Sequence, residues 1–153
     1  MRIGTEMPSF AGATEWLKGS AEEASAEAKG QPTLVHFWSI SCGICKDNMP
    51  RLAEWREKYK DQGLRVIAVH MPRYPQDTDV AAVREAVATY NLSDICAVDN
   101  QHKLRDEFKN EHGYVPAYYF FDASGKLKCF AAGERGLDMV AAAMNRALAA
   151  ANQ

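Results

Sequence analysis

Along most of this chain the apolar residues keep either a strand's or a helix's period, and the period changes repeatedly. Residues 33–39, Thr-Leu-Val-His-Phe-Trp-Ser, form a nearly unbroken apolar and β-branched run, which predicts a strand covered on both faces. From 43 to about 61 the apolar positions Met49, Leu52, Trp55 and Tyr59 fall three and four apart, the spacing of one helical face, and Gly63 ends the segment. Pro50 lies inside it and removes one backbone hydrogen bond, so a kink is expected there. A second strand is predicted over 64–70 and a helix over 79–91, with Val80, Val83, Val87 and Tyr90 on one face. A short strand at 95–99 then leads to a helix at 101–110 carrying Leu104 and Phe108. After that the strands come in sequence: 117–122 and 126–131 flank Ala123-Ser124-Gly125, a hairpin signal, and Leu137, Val140, Met144 and Leu148 place a closing helix over 136–151. Ahead of this core, 20–29 is rich in helix formers and stops at Gly30-Gln31-Pro32, while 8–17, with Gly12 and Gly19 nearby, suggests a small hairpin. Alternating strands and helices followed by a hairpin and a helix predict an α/β fold, a mixed central sheet flanked by helices on both faces.

A length of 153 residues suits a single domain, 1–153, with an extension over 1–31. The net charge is −2 with both signs interspersed, so there is no electrostatic footprint for nucleic acid or an anionic membrane. The N-terminal residues Met1 to Pro8 contain no apolar core of signal-peptide length, and no apolar run approaches a membrane span, so a cytoplasmic protein is expected.

Chemistry is concentrated where the first strand meets its helix, at Cys42-Gly43-Ile44-Cys45. A cysteine at a helix start has unpaired backbone N–H groups and the positive end of the dipole beside it, which favour the thiolate, the nucleophilic form. A second cysteine three residues on shares that helical face and is close enough to close a disulfide. Two other readings of the pair are a structural dithiol and half of a zinc site. Zinc would need two further ligands at comparable spacing, but Cys96 and Cys129 stand alone in apolar runs and the histidines at 36, 70, 102 and 112 are scattered. A strand feeding a Cys-X-X-Cys pair is the setting of a redox site, so no metal and no cofactor are expected.

Phe37-Trp38, Cys42 to Lys46, Pro50, Gly113-Tyr114-Val115-Pro116 and Ala132-Gly133 together resemble the thioredoxin superfamily. Pro50 is similar to its helix-kinking proline, and Val115-Pro116 to the cis-proline that faces the active site. The helix and strand at 79–99 resemble the insertion of the TlpA/ResA-like branch. Within that branch, Thr33 to Cys45, Ala68 to Pro72 and Val115 to Tyr119 look like the cytosolic YkuV-type thiol-disulfide oxidoreductases. The resemblance implies a thiol-disulfide oxidoreductase that reduces protein disulfides, with Cys42 as the exposed nucleophile and Cys45 as the buried resolving thiol. It also implies client contacts at Trp38, Gly43, Ile44, Val115 and Pro116. Disulfide-containing client proteins and a thiol reductant such as a thioredoxin reductase system are the implied partners, and a monomer is expected.

The departures concern proton transfer. Thioredoxins carry a buried acid where His36 stands, and ResA-like proteins a glutamate where Asn48 stands. His36 is therefore either a hydrogen-bonded core residue or a group tuning Cys45, while Lys46 would add a smaller favourable field at Cys42. Two rival functions share the fold. A peroxiredoxin-like thiol peroxidase would show a Pro-X-X-X-Thr/Ser-X-X-Cys loop, but Pro32 precedes Cys42 by ten residues without one. A non-catalytic binding module would not need Cys42, Cys45 and Val115-Pro116 together.

Overall fold

The structure, a computed structural model, describes residues 1–151. Its six strands are β1 (Glu15–Lys18), β2 (Thr33–Trp38), β3 (Arg65–His70), β4 (Ile95–Val98), β5 (Ala117–Phe121) and β6 (Leu127–Ala132). They form one sheet in the order β1-β4-β3-β2-β5-β6. β2, β3 and β4 are parallel, and β1, β5 and β6 pair antiparallel to their neighbours. Five helices complete it: α1 (Ala21–Ala28), α2 (Gly43–Lys58), α3 (Val80–Thr89), α4 (Lys103–Glu107) and α5 (Gly136–Ala151).

The two faces of the sheet explain why β2 lacks alternation. Leu34, Trp38, Ala68, Cys96, Tyr118 and Phe120 pack on one side with Met49, Leu52 and Trp55 of α2 and Leu137, Val140 and Met144 of α5. Val35, Phe37, Ile67, Val69 and Tyr119 pack on the other with Phe10, Ala24 of α1 and Leu104 of α4. All six residues of β2 are consequently buried. α2 runs through Pro50, and Gly63 ends the following turn in the left-handed region at φ 85°, which a glycine adopts without steric cost.

The expected N-terminal hairpin is not formed. Residues 15–18 instead add an edge strand to β4, and Glu6 makes an isolated antiparallel bridge to Lys126. The local signal, glycines around a short apolar stretch, was compatible with either pairing, and the exposed edge of β4 supplied the longer partner. Helix 101–110 contracts to Lys103–Glu107, and Pro75–Thr78 forms a 3-10 turn within the segment linking β3 to α3.

Candidate active site

Parallel strands bring their C-terminal ends to one edge, and here Trp38 and His70 are paired at the ends of β2 and β3. The chain leaves β2 through residues 39–41 and enters α2 at Cys42, which is the N-cap. That connection is held from the β3 side. The Ile40 N–H donates to His70 Nε2 at 3.1 Å, which places the proton of a neutral ring on Nδ1. Oδ2 of the buried Asp77 accepts from Ser39 Oγ (2.8 Å), Ser41 Oγ (2.7 Å) and the N–H groups of Arg73 (3.0 Å) and Tyr74 (3.2 Å). Burial raises the Asp77 carboxyl, but these donors outweigh it and leave it below the usual carboxylate range. The Arg73 guanidinium closes the clasp by donating to Ser41 O at 2.6 Å.

Cys42 and Cys45 are joined as a disulfide, with their Cα atoms 5.3 Å apart. Cys42 Sγ accepts the Cys45 N–H at 3.1 Å, satisfying one of the orphan donors of the helix start. Expected to be exposed, Cys42 is only 3% exposed, against 2% for Cys45. The reason is local: its sulfur folds back over the first turn as a cap instead of pointing outward. Gly43 and Ile44 are the exposed members of the motif.

The other expected site residues divide into two groups. Val115 packs against the cluster that contains both cysteines, and the Val115–Pro116 bond is cis. This segment is fixed by Asn110, which accepts from the Tyr114 N–H and donates to the Tyr114 carbonyl, both at 3.0 Å. Tyr114 itself is half exposed. Trp38, by contrast, is 1% exposed and lies edge-on to His70 with ring centroids 4.9 Å apart, so it supports the dithiol from within the core and has no surface to offer a client. Lys46 reaches over the Tyr90 ring at 5.8 Å. His36 Nε2 is 3.3 Å from Asp94 Oδ2, and Arg56 grips the same carboxylate. Asn48 donates to Tyr118 Oη at 2.8 Å.

Residues 3–130 match the AhpC/TSA family. Over 149 residues the chain is 44% identical to the thiol-disulfide oxidoreductase YkuV of Bacillus subtilis, covering 97% of this chain and 98% of that one. The chain belongs to the AhpC/TSA family. It is also 32% identical over 127 residues to the thiol-disulfide oxidoreductase ResA of Bacillus thuringiensis, covering 83% of this chain and 68% of that protein. Among solved structures, a thioredoxin-like protein in its oxidised form superposes with a TM-score of 0.83 at 43% identity, over 97% of this chain and 98% of that one. A thiol:disulfide interchange protein from Chlorobium tepidum superposes at 0.72 over 97% of this chain and 99% of its own, at 19% identity, and so speaks to the fold alone. The fold is thioredoxin-like, as the resemblance implied, and this AhpC/TSA chain is a thiol-disulfide oxidoreductase whose CXXC pair is Cys42–Cys45.

Sequence reasoning passed over Asp77, Arg73 and Asp94, and left His70 without a site role. Residues 71–79 carry no helix or strand period, so nothing in the local pattern ties Asp77 to Ser41, 36 residues earlier. Asp94 precedes β4 and meets His36 of β2, 58 residues away in sequence, only once β3 has joined the two strands in the sheet. The one available signal was Asp94 immediately before the apolar run Ile95-Cys96-Ala97-Val98, since an aspartate drawn into a core is buried only when partnered; Asp77, within the polar stretch 73–79, gave none.

The four thiols of this family member differ sharply in environment. Burial pushes the Cys96 thiol up to about 12, and burial also raises Cys129. Once the protein is reduced, brief iodoacetamide treatment followed by mass spectrometry is expected to label Cys42 ahead of Cys45, Cys96 and Cys129, because only Cys42 caps the start of the 16-residue helix α2. Equal labelling of all four would remove the basis for treating Cys42 as the nucleophile.

Proposed function

We propose that the chain reduces disulfides of client proteins in the cytoplasm, with Cys42 attacking and Cys45 resolving. The observation that carries this reading is the disulfide between an N-cap cysteine and the cysteine one turn into the same helix. The Cys42 thiolate attacks one sulfur of a client disulfide, forming a Cys42–client mixed disulfide, and the departing client thiolate takes a proton. Cys45, as thiolate, then attacks Cys42 Sγ, closing the Cys42–Cys45 disulfide and releasing the second client thiolate to be protonated. Two electrons pass from the dithiol to the client, and a thiol reductant, such as a thioredoxin reductase system, restores the dithiol. The Val115 backbone beside Pro116 offers an extended edge for the client strand, and Ile44 of the motif is exposed to a client. Residues 1–153 act as one domain, working as a monomer. No helix among the described residues is long and apolar enough to cross a membrane.

The family also bears on a second reading, thiol peroxidase. Insulin-disulfide reduction and hydroperoxide consumption measured side by side separate the two. Insulin reduction without peroxide turnover is the expected result; peroxide turnover alone would replace the proposal. A redox titration of the Cys42–Cys45 pair fixes direction, with a potential well below the cytosolic glutathione poise expected for a reductant.

A further inference from the structure

Next to the loop that precedes Cys42 lies a concavity that the exchange cycle does not use. It has a volume of about 310 Å³, and four of its seven lining residues, Arg73, His102, Arg105 and His112, are basic while none is acidic. Two observations place it at the active site's border. Arg73 donates through Nη2 to the carbonyl of Ser41, the residue before Cys42. His112 and Gly113 lead directly into Tyr114-Val115-Pro116, and the His112 ring is 5.3 Å from that of Tyr114. The cleft therefore begins where the two loops flanking the cysteines meet.

The Arg73 guanidinium is held by Ser41 Oγ and the Ser41 carbonyl, and His102 Nε2 is hydrogen-bonded to the Pro72 carbonyl at 3.0 Å, so Arg105 and the exposed His112 are the groups left to meet a ligand. Asp77 and Asp99 are buried, and they accept the backbone N–H groups of Arg73 and Arg105 rather than the guanidinium groups. Asp106 pairs with the Arg105 guanidinium at 3.3 Å, but it is an exposed neighbour in sequence, and such surface pairs contribute little. Glu107 and Glu111 line the adjoining concavity with Lys109 and His112, and both carboxylates are exposed, where screening is strong. A guanidinium presents a planar fork matched to a carboxylate, and a concave lining rich in basic residues concentrates anionic partners near the loop that carries Cys42.

We infer that this cleft is a client subsite for carboxylate side chains, so that the protein favours disulfides whose cysteines are flanked by Asp or Glu. The inference rests on the reading that peptide disulfides are the substrate, and deepens it. The test uses two synthetic peptide disulfides, identical except for Glu or Lys at the positions around the cysteine, mixed with the reduced protein. Release of peptide thiol is followed by chromatography. At low ionic strength the Glu peptide is expected to react about tenfold faster, and the advantage should shrink at high salt as the charges are screened. Arg105→Glu should invert the preference and Arg105→Lys should keep it; His112→Glu repeats the inversion from the other loop if the first variant folds poorly. Equal rates for the two peptides, or a preference untouched by both charge reversals, would overturn the subsite. If neither peptide is reduced, it is the proposed function that fails.

Discussion

Replacing Cys45 by Ser is expected to arrest the protein as a mixed disulfide between Cys42 and its client, while replacing Cys42 by Ser abolishes capture. The asymmetry follows from the helix start. Cys42 Sγ sits at the N-cap and already accepts the Cys45 N–H, a bond that becomes charge-assisted when the sulfur is a thiolate. Cys45 lies inside the first turn, buried in the cluster of Trp38, Met49 and Val115, and its amide already points to the Cys42 sulfur that it would resolve. Without the resolving thiol the second exchange cannot occur, so the adduct persists until dithiothreitol is added. Turnover in insulin reduction should fall by roughly three orders of magnitude or more in either variant, since each removes one of the two covalent steps. Non-reducing electrophoresis with mass spectrometry of the trapped species provides the check. Adducts on the Cys42→Ser protein, rather than on Cys45→Ser, would reverse the two roles.

What could be seen in the sequence was whatever has a period or a fixed spacing. β2 and α2 were legible because an unbroken apolar run followed by Met49, Leu52 and Trp55 admits one arrangement, and the cysteines mark their junction. The partner of β1 was not, since β1 pairs with Val98, Ala97 and Cys96, some eighty residues away, and the local glycines say nothing of that distance. The polar supports of the site were hidden for the same reason. Asp77 reaches Ser39 and Ser41 from a 3-10 turn, and Asp94 reaches His36 from the approach to β4, each through a contact that exists only once the sheet is assembled. His36, read as either core or tuning residue, has its ring engaged by Asp94, and among the described residues it forms no hydrogen bond with either sulfur. The exposure of Cys42 was misjudged because helix position alone does not say which way an N-cap side chain turns; here it turns back to the Cys45 amide.

His70 makes the folded protein sensitive to mild acid. Burial at the end of β3 pushes its imidazole down to about 4, against an ordinary value of 6.5, with the Asp77 charge opposing the shift only in part. Its geometry agrees: Nε2 is occupied as an acceptor of the Ile40 N–H, and the Trp38 ring packs edge-on to it, so a proton on Nε2 would break the bond holding the loop before Cys42. The unfolded chain binds a proton below pH 6.5 and the folded chain only below about 4, so the unfolded state holds more protons between those values. Stability is therefore complete above the higher value, falls as the pH drops through this window, and levels off below it as far as His70 is concerned. A shift of this size corresponds to roughly 3 kcal/mol, a large share of the net stability of a small domain. Urea unfolding of the oxidised protein at a series of pH values should show this loss, and His70→Gln, which keeps an acceptor but cannot titrate, should flatten the profile in that range. The carboxylates Asp77 and Asp122, both held low by hydrogen bonds, would still weaken the variant below the ordinary carboxylate range. An unchanged slope in His70→Gln between pH 6.5 and 4 would show that the acid sensitivity resides elsewhere.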